Sequence, residues 1–347
     1  MAPALIDTPQ SAVFPSKELA ANDQYGRYHP SDFRDLNLES GFGPMAPEQM
    51  GYLQPTSLDT PVEVMRERFE RDGYLLVKNV LPRDAVLECR KNYFEFVAPC
   101  GILKEGSDPI DGVYCGADGR KYLPPGNIRR LFGLKGDKES DHYVDLMIKA
   151  HSAPFYLNFV QNPELRAFIR KFTGWKSETM LTRTLLRPYT PNSEMTAVHY
   201  DQMYVRAGPP SSITAWVPLG GVSLEGGGLM YLERSHDIGK KTEEEFARNS
   251  WNLTEEERIS AFNKNMNDGG FLSRDSKVYG QEANRKWLIA QYEPGDVVLH
   301  NPWIVHASCK NCDPGNIIRL ATDLRFVESG TPHDQRWMKI FAPGDGV

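Results

Sequence analysis

The sequence lacks the features that mark membrane, secreted and nucleic-acid-binding proteins. No stretch approaches the roughly 20 consecutive apolar residues of a transmembrane helix. The first residues, MAPALIDTPQSAVFPSKEL, contain neither a basic nor a long apolar segment, so we expect no secretory signal. A net charge of −6, without a block of Lys and Arg, argues against nucleic acid or an anionic membrane as partner.

Cysteine is also scarce. Five cysteines in 347 residues are an odd and low number, which fits a reducing compartment better than a disulfide framework. The final residues, GDGV, do not match a peroxisomal address of the Ser-Lys-Leu type. We therefore predict a cytoplasmic protein.

The order of sequence patterns predicts helices first and strands later. Residues 1–60 are rich in Pro, Ser, Asp and Gly without a period, and they predict a partly irregular N-terminal arm. Residues 61–347 are predicted to form one domain, in which helical spacing prevails up to about residue 174. From Thr179 onwards, short β-branched and aromatic segments separated by Gly and Pro are typical of a barrel or sandwich. The fold class is thus mainly β with flanking helices.

A polar segment at about 237–286 interrupts the strand-like part. It contains Thr254-Glu255-Glu256-Glu257, a capping-box pattern that predicts the start of a helix running through Phe262. We interpret the segment as a helical insertion.

Two histidines and one aspartate are candidate metal ligands. In VHYDQ, His199 and Asp201 are two residues apart, so on a strand both side chains would point to the same face. His306 follows another strand-like run, DVVLHNPWIV, and is the best candidate for a third ligand. Two His and one carboxylate define the facial triad of non-haem iron(II) oxygenases. Each residue also has a plain alternative: His-x-Asp pairs occur on surface strands, and His306 could be a structural core histidine.

Arg319 and Ser308 strengthen the metal hypothesis. Arg319 lies 13 residues after His306 at the start of the next strand-like run, and a hairpin would return it to the level of the metal. A buried guanidinium binds a carboxylate through two parallel hydrogen bonds. Ser308, two residues after His306, would lie on the same face of the strand as His306. Its hydroxyl could donate to the carboxylate that Arg319 binds. The alternative is a structural salt bridge for Arg319 and a turn position for Ser308.

With these residues in order, the chain from about Phe69 to Arg325 resembles the phytanoyl-CoA dioxygenase family. FERDGYLLVKNVL resembles the opening segment of the family, and VHYDQ its His-x-Asp segment. TAWVPLGGVSLEGGGLMYLERSH is similar to its Trp-containing strand, Gly-rich turn and Ser-His pair. GDVVLHNPWIVHAS, followed by Arg319, resembles its second-His strand and its cosubstrate arginine.

The resemblance implies a double-stranded β-helix core of the jelly-roll, cupin-like type. It implies Fe(2+) and 2-oxoglutarate as cofactors, with His199, Asp201 and His306 as catalytic metal ligands. The implied reaction decarboxylates 2-oxoglutarate to succinate and abstracts a hydrogen atom from the substrate.

The resemblance also implies residues that bind the cosubstrate. Arg319 and Ser308 would hold the distal carboxylate of 2-oxoglutarate. Arg187 stands where family members often carry a lysine near the site, and Trp216 matches a tryptophan that lines the pocket. The chain departs from the family pattern at Glu233-Arg234-Ser235-His236, where a Pro-Gly-Ser-His turn is commoner, and in the insertion.

Two further motifs have structural interpretations. Cys309-Lys310-Asn311-Cys312 could bind a soft metal or form a redox pair, but no second C-x-x-C completes a four-ligand site. We interpret it as a loop with two ordinary cysteines. Gly226-Gly227-Gly228 lacks the Lys-Ser/Thr of a phosphate loop and predicts a tight turn instead.

We therefore predict a dioxygenase that hydroxylates, desaturates or cyclises a small organic substrate. The partners are this substrate and O2, and the oligomeric state is left open, a homodimer included. A secondary metabolite or an amino-acid-like acid fits, because Arg183, Arg187 and Arg206 offer charge for an anionic group. The intact Asp201 argues against a halogenase. The alternatives are a catalytically silent jelly-roll binding protein and a cupin-like zinc or nickel enzyme, which would not need Arg319.

Overall fold

The computed structural model describes residues 30–118, 122, 138–193, 195–262 and 270–342. Four short strands come first: β1 (Glu39–Ser40), β2 (Gly43–Pro44), β3 (Met50–Tyr52) and β4 (Pro55–Thr56). Next are α1 (Val62–Asp72), β5 (Tyr74–Val77), α2 (Arg83–Val97), α3 (Lys138–Ala150), α4 (Pro154–Val160) and α5 (Pro163–Thr173). Of the predicted arm, residues 1–29 lie outside the described part, and residues 30–60 contribute β1 to β4.

The strand-rich part follows. Its strands before the insertion are β6 (Glu178–Met180), β7 (Leu185–Tyr189), β8 (Ile213–Pro218) and β9 (Leu229–Leu232). Among the described residues between β9 and β10 there are three α-helices: α6 (His236–Asn249), α7 (Glu255–Ile259) and α8 (Ser276–Ala283). The last strands are β10 (Trp287–Ile289), β11 (Val297–His300), β12 (His306–Ser308) and β13 (Arg319–Glu328).

Local signals in the sequence set two of the helix boundaries. Helix α1 ends at Gly73, whose left-handed φ of 79° allows its N–H to bond the Phe69 carbonyl. Helix α7 begins with the predicted capping box, in which the side chains of Thr254 and Glu257 bond each other's backbone N–H groups. It ends at Ile259, before the predicted Phe262, so the capping signal gave the start but not the length.

Two facing sheets form the core. The larger has the order β4-β5-β11-β8-β13-β6, with β7 also paired to β13, and the smaller has the order β12-β9-β10-β3. Neighbouring strands are antiparallel except at β4–β5 and β3–β10. This arrangement, with helices on the outside, confirms the predicted jelly-roll fold class. No helix among the described residues is long and apolar enough to cross a membrane.

Alternation along the strands divides the core into layers. In β8, the side chains of Ile213, Ala215 and Val217 belong to the apolar layer that helices α1 to α5 cover, whereas Trp216 belongs to the layer between the sheets. The inner layer contains mainly aromatic and aliphatic residues: Leu53, Tyr74, Leu76, Trp216, Leu229, Tyr231, Leu288, Val298 and Ile304. The space between the sheets is where the candidate ligands converge.

The predicted hairpin between the His306 and Arg319 strands is wrong. Strand β12 pairs with β9 in the smaller sheet, whereas β13 pairs with β6, β7 and β8 in the larger one. The residues between them cross from one sheet to the other. Arg319 therefore enters the interior from the sheet that faces His306.

Candidate metal centre

His199 and Asp201 lie on a turn rather than on a regular strand. His199 forms a single antiparallel bridge with His306, with reciprocal N–H···O bonds of 3.0 and 2.8 Å. Asp201 then begins a 3-10 turn, Asp201–Met203. The strand expected here is thus reduced to two isolated bridges, Val198–Ser273 and His199–His306, but the expected convergence of the side chains holds. One ligand atom from each of His199, Asp201 and His306 lies within 4.8 Å of the others.

Both imidazoles present the same ring nitrogen to the centre. The Nδ1 atoms of His199 and His306 lie 2.8 and 3.0 Å from the carbonyl oxygens of Ala197 and Ile304, so Nδ1 carries the proton in each ring. Burial lowers the pKa of His199 to about 4 and that of His306 well below its usual range. Both rings are therefore neutral at pH 7, with Nε2 free to bind a metal.

The Asp201 carboxylate is fixed by three side chains. Oδ1 accepts a hydrogen bond from Arg325 at 2.8 Å, and Oδ2 accepts from Thr214 and from Nε2 of His300. Burial alone would raise the pKa of Asp201, but Arg325 and His300 outweigh it and hold the pKa well below its usual range. The carboxylate is thus ionised, and Oδ1 lies 3.8 Å from Nε2 of His306.

Arg319 has an unused hydrogen-bonding edge. Its Nε donates to the carbonyl of Gly227 at 3.0 Å, and its guanidinium lies 4.0 Å from the centroid of the Tyr189 ring. The NH2 group is buried without a hydrogen-bond partner. Since no described carboxylate forms a salt bridge with it, the structural alternative considered for Arg319 has no partner in the described chain. A buried, unpaired guanidinium edge is suited to the carboxylate of a small molecule.

The other predicted site residues line the same interior. Ser308 follows His306 on β12, and its buried Oγ accepts from the Thr196 N–H, which leaves the hydroxyl proton to donate. Trp216 packs edge-on against Tyr292, with the guanidinium of Arg319 5.9 Å from its ring. Arg187 lies opposite Ala321 in the β7–β13 register, among the interior residues.

Sequence reasoning missed the residues that act through Asp201. His300 and Thr214 bond Oδ2, and the Tyr231 hydroxyl lies 3.1 Å from the other nitrogen of His300. Arg325 is six residues after Arg319, so on one strand the two side chains share a face. That even spacing was the signal available in the sequence.

Asp323 was missed as well. It lies between Arg319 and Arg325 on the same face of β13 and opposite Trp216 on β8. Burial raises the pKa of its carboxyl, against the lowering effect of Arg325 and Arg187. The larger sheet therefore contributes a row of charged side chains to an interior that is otherwise apolar.

The C-x-x-C segment forms a loop with two free thiols. Burial raises the pKa of Cys309 to about 12, and its Sγ lies 3.6 Å from Met230 Sδ. Asn311 between them bonds the carbonyls of Tyr189 and Ile317. The segment shapes the wall beside Arg319, because Gly227, with φ 73°, packs directly against Asn311.

A cavity of about 870 Å³ lies elsewhere, near the edge strands β3 and β4 and their neighbours β10 and β5. Leu53, Lys78, Ala290 and Glu293 are among its lining residues, and none of the candidate ligands is. It is therefore separate from the metal centre.

The residues present fit the class of mononuclear iron sites with a bound 2-oxo acid. Two neutral imidazoles and one ionised carboxylate suit Fe(II) and leave part of its coordination sphere to other ligands. The unpaired edge of Arg319 lies in the same interior and suits a carboxylate, so both cofactors have matching groups. In this class, the bound iron and 2-oxoglutarate together supply the oxidising power by reducing O2.

Comparison with known proteins identifies the family. The family model for phytanoyl-CoA dioxygenase (PhyH) matches residues 69–316. The chain belongs to this family and is an iron(II)- and 2-oxoglutarate-dependent dioxygenase.

Individual relatives are distant. The peroxisomal phytanoyl-CoA dioxygenase of Homo sapiens is 23% identical over 289 residues, which cover 82% of this chain and 72% of that protein. The enzyme of Bos taurus is 21% identical over 297 residues, covering 84% and 76%. A solved structure, the non-heme alpha-ketoglutarate-dependent carbocyclase SnoK from nogalamycin biosynthesis, covers 84% of this chain and 96% of its own at 17% identity, with a TM-score of 0.48. That similarity is too low to bear on the reaction of this chain.

Proposed function

We propose that this dioxygenase oxidises a C–H bond of a small organic substrate by hydroxylation, desaturation or ring formation, releasing succinate and CO2. The observation that carries the proposal is the convergence of His199, Asp201 and His306 within 4.8 Å in the interior that also holds the unpaired edge of Arg319. A zinc or nickel enzyme of the same fold would have no use for that arginine.

In this proposal each residue has a defined task. Nε2 of His199 and of His306 and a carboxylate oxygen of Asp201 bind iron, with their Nδ1–H bonds to backbone carbonyls fixing the ring orientation. Arg319 and Ser308 bind the distal carboxylate of 2-oxoglutarate. Arg187 and Trp216 complete the wall around the cosubstrate, Arg187 by charge and Trp216 by packing.

The substrate is proposed to be a secondary metabolite or an amino-acid-like acid. An interior arginine could bind an anionic group of such a substrate. Arg206 does not serve this purpose, because it pairs with Glu243. Arg183 lies over the rings of Trp337 and Phe341. Arg187 is thus the best placed of the three arginines for an anionic substrate or cosubstrate. A cytoplasmic location fits the five free thiols.

The experiment is reconstitution with Fe(II) and 2-oxoglutarate, followed by measurement of succinate in the presence of O2. We expect slow, iron-dependent succinate formation without substrate, and faster formation with a substrate from a library of hydroxylatable acids and polycyclic metabolites. His306→Ala should abolish both rates.

A matched control separates catalysis from misfolding. His333 is outside the triad, its Nδ1 near the Thr331 carbonyl, so His333→Ala should leave succinate formation unchanged. No succinate formation with any substrate despite bound iron would support the silent binding protein instead. Iron-independent succinate formation would contradict the proposed metal site.

A further inference from the structure

The segment that bears two of the three candidate ligands has no strand of its own. On the core side it is bonded to His306 through the His199 bridge, and one further bond runs from the Gln202 N–H to the carbonyl of Pro302. One isolated bridge to the core followed by a 3-10 turn fixes few backbone dihedrals by itself. The carboxylate of Asp201 is held by Arg325, Thr214 and His300, but the backbone that carries it has few bonds to the core, so contacts from outside the jelly roll add to its position.

The insertion supplies such contacts along the other edge of this segment. The N–H of Val198 donates to Ser273 at 2.9 Å, and the N–H of Leu272 donates to Val198 at 2.8 Å. The hydroxyl of Tyr204 donates to the carbonyl of Gly270 at 2.9 Å. The ligand segment is thus bonded to β12 on one side and to the insertion on the other.

Glu243 of helix α6 holds the segment from a second direction. Its Oε2 accepts from the hydroxyl of Tyr200 at 2.6 Å, and Tyr200 is the residue between the two ligands. The same carboxylate receives a two-pronged ion pair from Arg206, whose NH2 lies 2.9 Å from Oε2. Both partners are largely buried, with side chains 5% and 15% exposed. The Arg206 guanidinium also lies 3.8 Å from the centroid of the Phe246 ring, one helical turn along α6.

Helix α6 is itself seated on the segment that leads to the third ligand. A Cβ at Gly239 would clash with the carbonyl oxygen of Trp303, so the helix backbone lies directly on that residue. Trp303 is three residues before His306. One helix of the insertion therefore contacts both chain segments that carry the candidate ligands.

We infer that the insertion is a clamp for the metal centre and that Glu243 is its positioning residue, acting on Asp201 and His199 through Tyr200 and Arg206. The inference rests on the proposed function, because it presupposes that His199, Asp201 and His306 bind iron. Glu243 does not touch iron or cosubstrate in this account. It keeps the ligand atoms of His199, Asp201 and His306 close enough to bind one metal ion together.

The test is Fe(II) binding to the full chain, titrated anaerobically by calorimetry well below the melting temperature. Glu243→Met should weaken Fe(II) binding by about 10-fold, the lower end of the effect of losing a group bonded directly to a metal ligand, because Glu243 acts through Tyr200. Glu243→Gln, which keeps the shape and one acceptor, should give an intermediate affinity. Glu244→Gln removes the same charge from an exposed neighbouring position of α6 and should bind Fe(II) like the wild type.

A double variant separates positioning from general stability. In Glu243→Met alone, the buried Arg206 guanidinium loses its carboxylate, which lowers the melting temperature. Arg206→Met with Glu243→Met removes both charges and should recover much of that melting temperature while Fe(II) binding stays weak. If affinity recovers together with stability, Glu243 has only a structural role and the inference is overturned.

Two further variants keep the result interpretable. Tyr200→Phe removes one hydroxyl and should fold even where Glu243→Met does not; unchanged affinity in it would also count against the clamp. His306→Ala should lose Fe(II) binding. If it binds like the wild type, the proposed function fails; if it loses binding while Glu243→Met retains it, only the clamp fails.

Discussion

Replacing Arg325 tests how Asp201 is kept ionised inside the barrel. Its NH2 lies 2.8 Å from Oδ1 of Asp201, and the two side chains are 3% and 1% exposed. At that distance and an effective dielectric constant of about 20, the attraction is about 6 kcal/mol, part of which offsets the desolvation of both charges. Arg325→Met would leave a buried carboxylate with only Thr214 and His300 as partners. We expect the free energy of unfolding of the metal-free protein to fall by about 3–5 kcal/mol.

A divalent cation at the triad should replace the missing positive charge. Fe(II) at 100 times its Kd should stabilise the wild type by about 2.7 kcal/mol. It should stabilise Arg325→Met by more, because the metal no longer shares Oδ1 with a neighbouring guanidinium.

The assay is urea denaturation under anaerobic conditions, with and without Fe(II). Arg325→Lys keeps the charge and should lose less stability. Asp201→Asn combined with Arg325→Met should regain stability and lose the effect of iron. Metal-free Arg325→Met unfolding within about 1 kcal/mol of the wild type would refute the reasoning, since a buried unpaired carboxylate costs more than that.

Four further outcomes are expected. Arg319→Lys keeps the charge but loses the planar fork, so the KM for 2-oxoglutarate should rise about 10- to 100-fold with a smaller change in kcat, read from succinate formation. Gly227→Ala, at φ 73°, should lower the free energy of unfolding in urea by about 1–2 kcal/mol. It should also raise the KM for 2-oxoglutarate, because the Gly227 carbonyl orients Arg319, and an unchanged KM would contradict this role. At pH 8, iodoacetamide should modify the half-buried Cys312 before Cys309, because burial raises the pKa of Cys309 to about 12. Peptide mass mapping measures the two alkylation rates, and equal rates would restore the redox interpretation. Glu178→Gln should lower the free energy of unfolding by about 1–3 kcal/mol at pH 7, because two arginines of α5 outweigh burial and hold the pKa of Glu178 below its usual value. The difference should shrink as the pH falls below 4.5 and vanish only below the lowered pKa of the folded carboxyl.

Strand periodicity accounts for much of what could be predicted. Alternation along β8 and β13 separates outward apolar residues from inward ones, so Trp216 and Arg319 were recognisable as interior positions. The two-residue spacing of His199 and Asp201 correctly predicted that their side chains converge. The assumed strand was wrong, because Asp201 starts a 3-10 turn. The direction of the Asp201 side chain depends on contacts with Arg325 and with the insertion, which are distant in sequence.

Topology was the main error. A connection of ten residues after Ser308 reads equally well as a hairpin loop or as a crossover, and only pairing with β9 and with β8 decides between them. His300 was invisible for a related reason: its partner Asp201 is 99 residues away in sequence. Residues that act through another side chain carry no local pattern of their own.

The most direct test of the central claim is a crystal structure of the protein prepared anaerobically with Fe(II) and 2-oxoglutarate. The account predicts one iron bound by Nε2 of His199, Nε2 of His306 and a carboxylate oxygen of Asp201, with the distal carboxylate of 2-oxoglutarate on Arg319. Iron bound at other residues, or 2-oxoglutarate bound away from Arg319, would contradict it.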